Sequence, residues 1–256
     1  MSKLKEQLIH VIQLPVDLSP ANVIEFNVQL KHCLNIGTNE IKIDCSSILQ
    51  ISSSHIGLLW QAFFDCRQAG VALLLDSASD GLKRVLVTLD VAEIFGIDER
   101  TIERYQQNQF ETFKIQASQQ YDDRINVSKL GTEAFLLRFS SFLKTLGISQ
   151  NAAYEIRTVL YEILTNICNY SGLEESANIE FTAHTDSQGI ALTIRDKGIS
   201  FDPTKFKRTT DFASAAQKRQ HRGFGLVMVN KMVNEIQYSR TNNGYNLLTL
   251  VKRWGK

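Results

Sequence analysis

The chain is 256 residues long, with 43% apolar and 21% charged side chains, 3 Pro and 14 Gly, which excludes collagen-like and fibrous architectures and dominant low-complexity disorder, and leaves room for one large domain or two ordinary ones. Its 28 basic and 27 acidic residues give a net charge of +1, which excludes a general attraction to nucleic acid or to an anionic membrane. The balance hides a split, since residues 1 to 115 hold 10 Lys/Arg against 14 Asp/Glu, and residues 116 to 256 hold 18 against 13. Taken from the N-terminus, residues 7 to 14 alternate as a strand, and Ser19-Pro20 opens an amphipathic helix to about Asn35, with Val23, Phe26, Leu30 and Leu34 at helical spacing and Gly37 at its end. Ile41 to Asp44 reads as a short strand, Ser52-Ser53-Ser54 as a cluster of N-caps, and Ile56 to Gln68 as a helix stopped by Gly70. Val71 to Leu75 reads as a buried strand, about Ser79 to Leu89 as a helix, Ile94-Phe95-Gly96 as a turn and Phe110 to Ile115 as a β-prone tail. This alternation predicts helices packed on a small sheet, a domain of residues 1–115.

Residues 116–124 are polar and lack an apolar period, so they read as a linker. The second domain, 125–256, opens with helices at about 130 to 146 and 150 to 170, separated by a Gly147 C-cap and a Ser149 N-cap. Strands follow at Asn178 to His184 and Gly189 to Arg195. Residues 203 to 222 are charged and weakly periodic, Gly225 to Glu235 reads as a helix, and Ile236 to Arg240 with Tyr245 to Lys252 reads as a hairpin around Asn242-Asn243-Gly244. No repeats are visible. Cys33, Cys45, Cys66 and Cys168 form no C-x-x-C pair and have no close His, so neither a zinc site nor a disulfide framework is indicated. The Leu8-Ile9-His10-Val11-Ile12 run is too short for a signal h-region or a membrane span. Together these predict a cytoplasmic chain with reduced thiols and no membrane or nucleic-acid partner.

Three features of the second half stand in order. On the helix of residues 150 to 170, Ile156, Val159, Leu160, Ile163, Leu164 and Ile167 form a core stripe, while Glu162, Asn166 and Asn169 share another face at i, i+4 and i+7. Such a stripe is ordinarily a solvated face. It also suits chemistry, because an Asn oxygen is a hard ligand for Mg²⁺ and a Glu one turn earlier can take a proton from a hydroxyl or water. The strand ending at Arg195 runs into Asp196-Lys197-Gly198, where a carboxylate can accept a hydrogen bond from an exocyclic amine such as that of adenine and Gly198 admits a planar ring close to the backbone. D-x-G is also a common turn. Arg222-Gly223-Phe224-Gly225-Leu226 then leads into a helix whose N-terminus favours anionic phosphates. Between the last two features lie Lys205, Lys207, Arg208, Lys218, Arg219, His221 and Arg222 against Asp211 alone, either a solvated loop or a basic lid for a triphosphate.

Taken in this order, residues 124 to 254 resemble the GHKL ATPase superfamily and, within it, the serine-kinase anti-sigma factors of bacteria. The resemblance implies a two-layer α/β sandwich with a mixed sheet, and ATP with Mg²⁺ as cofactors. It puts Glu162 in the position of the general base, Asn166 in that of the Mg²⁺ ligand, Asp196 and Gly198 in the adenine box, and Gly223, Gly225 and Leu226 in the box that closes on the phosphates, with Asn169 and Arg222 beside them. Asn169 stands where these kinases often have His, and Tyr245-Asn246 where Thr is common.

In the first half, a serine at the strand-to-helix turn is exposed to a kinase, and its phosphate would sit at a helix N-terminus; the plainer reading is simple N-capping. The Ile41 to Asp44 strand, the serine turn into Ile56-Gly57-Leu58-Leu59, Gly70 to Leu75 and Phe95-Gly96-Ile97 make residues 7 to 113 resemble a STAS domain of the anti-sigma factor antagonist kind. That family's D-S-[ST]-G-L-G pattern maps the phosphoacceptor onto Ser53, with Ser52 in the place of Asp and His55 in that of the first Gly; Ser52 and Ser54 are the other candidates. The two resemblances imply a partner-switching protein serine kinase fused to its STAS module, acting on a sigma factor or a STAS-type protein. The opposite charges of the halves allow intramolecular docking, and a homodimer is also open. The alternative from another class is a non-catalytic, nucleotide-responsive protein-binding module. A sensor histidine kinase fits less well, because residues 116 to 170 contain no His.

Overall fold

Parallel strands need a crossover to bring the chain back to the same edge, and the first unit is built on that requirement. In the computed structural model, which describes residues 8–107, 118–205 and 224–254, β1 (Ile9–Gln13), β2 (Glu40–Asp44) and β3 (Ala72–Asp76) pair in parallel in the order β1-β2-β3. The crossovers are α1 (Pro20–Asn35) and α2 (Ser53–Gln68). Ile41 and Ile43 of the central strand are fully buried, and the buried core also includes Phe26 and Leu30 of α1, Ile56, Leu59 and Trp60 of α2, and Leu82, Val85 and Leu86 of α3 (Asp80–Thr88). The alternation read from sequence therefore gives the observed fold: a small sheet with helices packed on it.

One helix of this unit was not expected. Residues Glu99–Gln107 form α4, whose apolar positions in the described part are Ile102 and Tyr105, too narrow a stripe to show as periodicity. Its start is set by Asp98, whose carboxylate accepts from the Thr101 backbone N–H at 3.0 Å and from the Thr101 hydroxyl at 2.7 Å, an N-cap arrangement. The β-prone tail at Phe110 to Ile115 lies outside the described residues.

The second unit is a five-stranded sheet in the order β4-β5-β6-β8-β7, formed by β4 (Gln119–Asn126), β5 (Asn178–Thr185), β6 (Gly189–Asp196), β7 (Glu235–Arg240) and β8 (Asn246–Arg253). All four pairings are antiparallel, so the sheet is not the mixed one expected. The segment read as a linker, 116–124, overlaps β4, which pairs along its length with β5. β4 is an edge strand with one solvated face, so its sequence is polar at most positions although its backbone is in the ladder. Helices α5 (Lys129–Thr145) and α6 (Gln150–Tyr170) cover the other face. Phe135 and Phe139 of α5 meet Phe181 of β5 edge-on, with ring centroids 4.7 and 5.0 Å apart, an arrangement favoured by aromatic quadrupoles. Five members of the α6 core stripe are buried; Ile167, nearer the C-terminal end, is half-buried. A largely buried ion pair, Lys252 to Glu155 at 2.5 Å, ties α6 to β8. The last helix, α7 (Phe224–Met232), is shorter than expected because Glu235 already begins β7. Among the described residues, no helix is long and apolar enough to cross a membrane.

Candidate nucleotide site and serine turn

Helix α6 starts where Ser149 accepts the Ala152 N–H at 3.0 Å, and it carries the polar face from interior to solvent. Glu162 is 4% exposed, Asn166 is half-buried and Asn169 is exposed. Helical rise separates Glu162 from Asn166 by about 6 Å along the axis. Among the described residues, no protein hydrogen bond occupies the Asn166 side chain, so its oxygen is available to a hard cation. The described residues contain no group of three or more His, Cys, Asp or Glu that could hold a metal.

The end of α6 is joined to the D-x-G turn. The Ile199 N–H donates to the Ser171 carbonyl at 2.8 Å, and a Cβ on Gly198 would stand 2.5 Å from the Ser171 Cβ and 2.9 Å from its carbonyl oxygen. Gly198 is therefore required by close approach. Asp196, 6% exposed, accepts the Gly198 N–H at 2.7 Å and the Asn246 side-chain N–H at 2.9 Å, both on Oδ1. Asn246 lies directly opposite Asp196 in the β6–β8 ladder and also donates to the carbonyls of Gly198 (3.2 Å) and Ile199 (3.3 Å). Its own oxygen accepts from the Tyr238 hydroxyl at 2.7 Å and from Arg240 Nη1 at 2.8 Å. Tyr238 in turn is 2.8 Å from the Ser200 hydroxyl, and Arg240 also donates to the Gly198 carbonyl at 3.2 Å. The turn expected to meet a base is thus held by a cross-strand polar network that the sequence reading did not find.

Of the glycine box, Gly225 and Leu226 are buried in the first turn of α7, and Leu226 accepts the Asn230 side-chain N–H at 2.8 Å. Arg222 and Gly223 lie outside the described residues, as do the lid residues Lys207, Arg208, Lys218, Arg219 and His221. Lys205, in a single 3-10 turn at Pro203–Lys205, faces Asp202 at 3.5 Å.

The serine turn separates its three hydroxyls. Ser52 is the N-cap of α2 and is buried. Its backbone N–H donates to His55 Nδ1 at 3.2 Å, so Nδ1 is an acceptor, and the Ser52 hydroxyl donates to the same nitrogen at 2.6 Å. The His55 N–H donates back to Ser52 Oγ at 3.4 Å. This is a capping box with imidazole in the place of the usual carboxylate, and it accounts for the histidine where the family pattern has glycine. Burial pushes the His55 pKa down, and the Val16 and Pro15 backbone partly opposes it. Ser53 is half-buried and Ser54 is exposed.

Comparison with known families settles what these two units are. Residues 2–107 match the family model of the STAS domain, and residues 131–252 match that of the histidine kinase-like ATPase domain. The chain carries a STAS domain followed by a histidine kinase-like ATPase domain. The ATPase domain implies ATP as its ligand. No curated protein matches the chain. Among solved structures, a chain in the crystal structure of the SiaB-SiaC complex from Pseudomonas aeruginosa is similar over 58% of this chain and 93% of its own length, at 16% identity and a TM-score of 0.41.

Within the ATPase domain, the described residues of the motif boxes fall on α6, on the D-x-G turn attached to its end, and on the first turn of α7. Sequence reasoning did not link Tyr238, Arg240 and Asn246 to Asp196, with which they share one hydrogen-bond network. The signal for Asn246 was its departure from Thr after the hairpin glycine; nothing in the sequence marked the other two.

Proposed function

We propose that the protein is a bacterial partner-switching regulator that uses ATP to phosphorylate a serine on a STAS surface, its own or that of a second protein. The observation that carries this reading is the pairing on α6 of a buried carboxylate, Glu162, with a half-buried Asn166 one turn later, in a chain that also carries a serine turn on a STAS domain. Glu162 would accept the proton of the serine hydroxyl; the serine oxygen bonds to the γ-phosphorus as the bond to the β,γ-bridging oxygen breaks and ADP leaves. Asp196 would hold the adenine amine. Asn166 is the residue that would hold Mg²⁺, which when bound supplies positive charge to the triphosphate. The first turn of α7 offers backbone N–H groups to the phosphates.

Of the candidate acceptors, Ser53 remains the position assigned by the family pattern, and Ser54 has the more exposed hydroxyl. Ser52 is the poorest acceptor, because its hydroxyl is buried and engaged by His55. A phosphate at the first turn of α2 adds a doubly charged group to the surface and changes its affinity for a partner such as a sigma factor or a STAS-type protein. The break between the domains falls ahead of β4, and the compartment is the cytoplasm. Incubating the chain with Mg-ATP and measuring phosphate incorporation tests the reading. Stable phosphate on serine in wild type, and none in Glu162→Gln, is the expected result. Nucleotide binding with no transfer to itself or to a STAS protein would instead support the non-catalytic binding module.

A further inference from the structure

We propose that Asn246 is a positioning residue that sets the base preference of the ATPase domain by holding Asp196 in the orientation that reads an exocyclic amine. This rests on the assignment of Asp196 as the adenine acceptor and goes beyond it by naming what fixes that acceptor. Both protein donors to Asp196, the Gly198 N–H and the Asn246 amide, converge on Oδ1. Among the described residues, Oδ2 accepts no hydrogen bond. A carboxylate with one oxygen held twice by the protein cannot rotate without breaking two bonds, so Oδ2 remains the acceptor offered to a base.

Asn246 suits this task because it is donor and acceptor at once. Its N–H groups meet the Asp196 carboxylate and the carbonyls of Gly198 and Ile199, and its oxygen meets Tyr238 and Arg240. A flipped amide would set its N–H groups against the Arg240 guanidinium, so the neighbours fix its orientation. The Ser200 hydroxyl can donate to Tyr238 Oη while Tyr238 donates to Asn246 and Asn246 to Asp196, giving a relay that runs from Ser200 to Asp196. Thr at this position could donate to Asp196 but could not also reach three acceptors, and Asp would put a second carboxylate against the first.

The test uses the full chain and two probes, ATP and inosine triphosphate, which has a carbonyl in the place of the amine. Dissociation constants measured by calorimetry with Mg²⁺ should favour ATP by roughly 10- to 100-fold in wild type, the range expected for a hydrogen bond to a charged acceptor. In Asn246→Leu, ATP affinity should fall until the ratio is under about threefold, while inosine triphosphate binds as in wild type. Asn246→Thr should recover part of the ratio. Tyr238→Phe, which removes one support of Asn246, should give an intermediate ratio, and it keeps the proposal testable should the leucine variant not fold. A wild-type ratio retained in Asn246→Leu or in Tyr238→Phe overturns the role of Asn246 alone. Equal binding of the two nucleotides by wild type overturns the assignment of Asp196 itself.

Discussion

Glu162 and Asn166 differ in exposure along the helix that carries them, and the difference fits the tasks proposed for them. The buried carboxylate suits a proton acceptor shielded from water, and the half-buried amide suits a cation that keeps part of its water shell. Glu162→Gln, which preserves shape, should leave ATP affinity within a few-fold of wild type and lower phosphotransfer by roughly 10²- to 10⁴-fold; rapid-quench transfer assays alongside calorimetry separate the two. Asp196→Asn should do the reverse, weakening ATP by roughly 10-fold or more, because a charge-assisted acceptor worth ~1.5–3 kcal/mol is replaced by a neutral one. Glu162, Asn166 and Asp196 could be singled out in the sequence because each sits in a short motif with a chemical reason for its spacing. Asn246, Tyr238 and Arg240 could not, since their link to Asp196 depends on the β6–β8 and β7–β8 registers, and Asn246 lies 50 positions away from its partner in the chain.

At the level of elements, the junction between the end of α6 and the D-x-G turn joins the two halves of the proposed nucleotide site. Gly198→Ala forces a Cβ to within 2.5 Å of the Ser171 Cβ, so it should cost ~1–3 kcal/mol of stability and weaken ATP binding together; equal urea midpoints for variant and wild type would contradict the contact. The capping box of α2 has a pH signature. The unfolded chain takes up a proton on His55 near the ordinary imidazole pKa of about 6.5, whereas burial holds the folded imidazole neutral to lower pH. Stability is therefore full above about 6.5 and is lost as the pH falls from there to the folded pKa. Urea midpoints should drop between about pH 7.5 and about pH 5.5 in wild type and drop less in His55→Gln; parallel slopes would exclude His55 as the source. The helices and strands with wide apolar stripes, α1, α2, α6 and β5, were legible in the sequence. β4 and α4 were not: an edge strand with a solvated face reads as polar linker, and a helix held by an Asp98 cap and two apolar residues shows almost no period.

At the level of the molecule, two domains with opposite charge share one chain, and the near-neutral total conceals them. On the proposed function, an acidic STAS domain bearing a serine turn and a basic ATPase domain bearing Glu162 and Asn166 would act as substrate and kinase of complementary sign, which favours an encounter within one chain or between two. The most direct test of this account is phosphosite mass spectrometry on the full chain after incubation with Mg-ATP, comparing wild type, Ser53→Ala, Ser54→Ala and Glu162→Gln. The account predicts phosphate at Ser53 or Ser54 in wild type, its loss from the site when that serine is replaced, and its absence throughout in Glu162→Gln. Phosphate that persists in Glu162→Gln, or that never appears within residues 52–54, would contradict it.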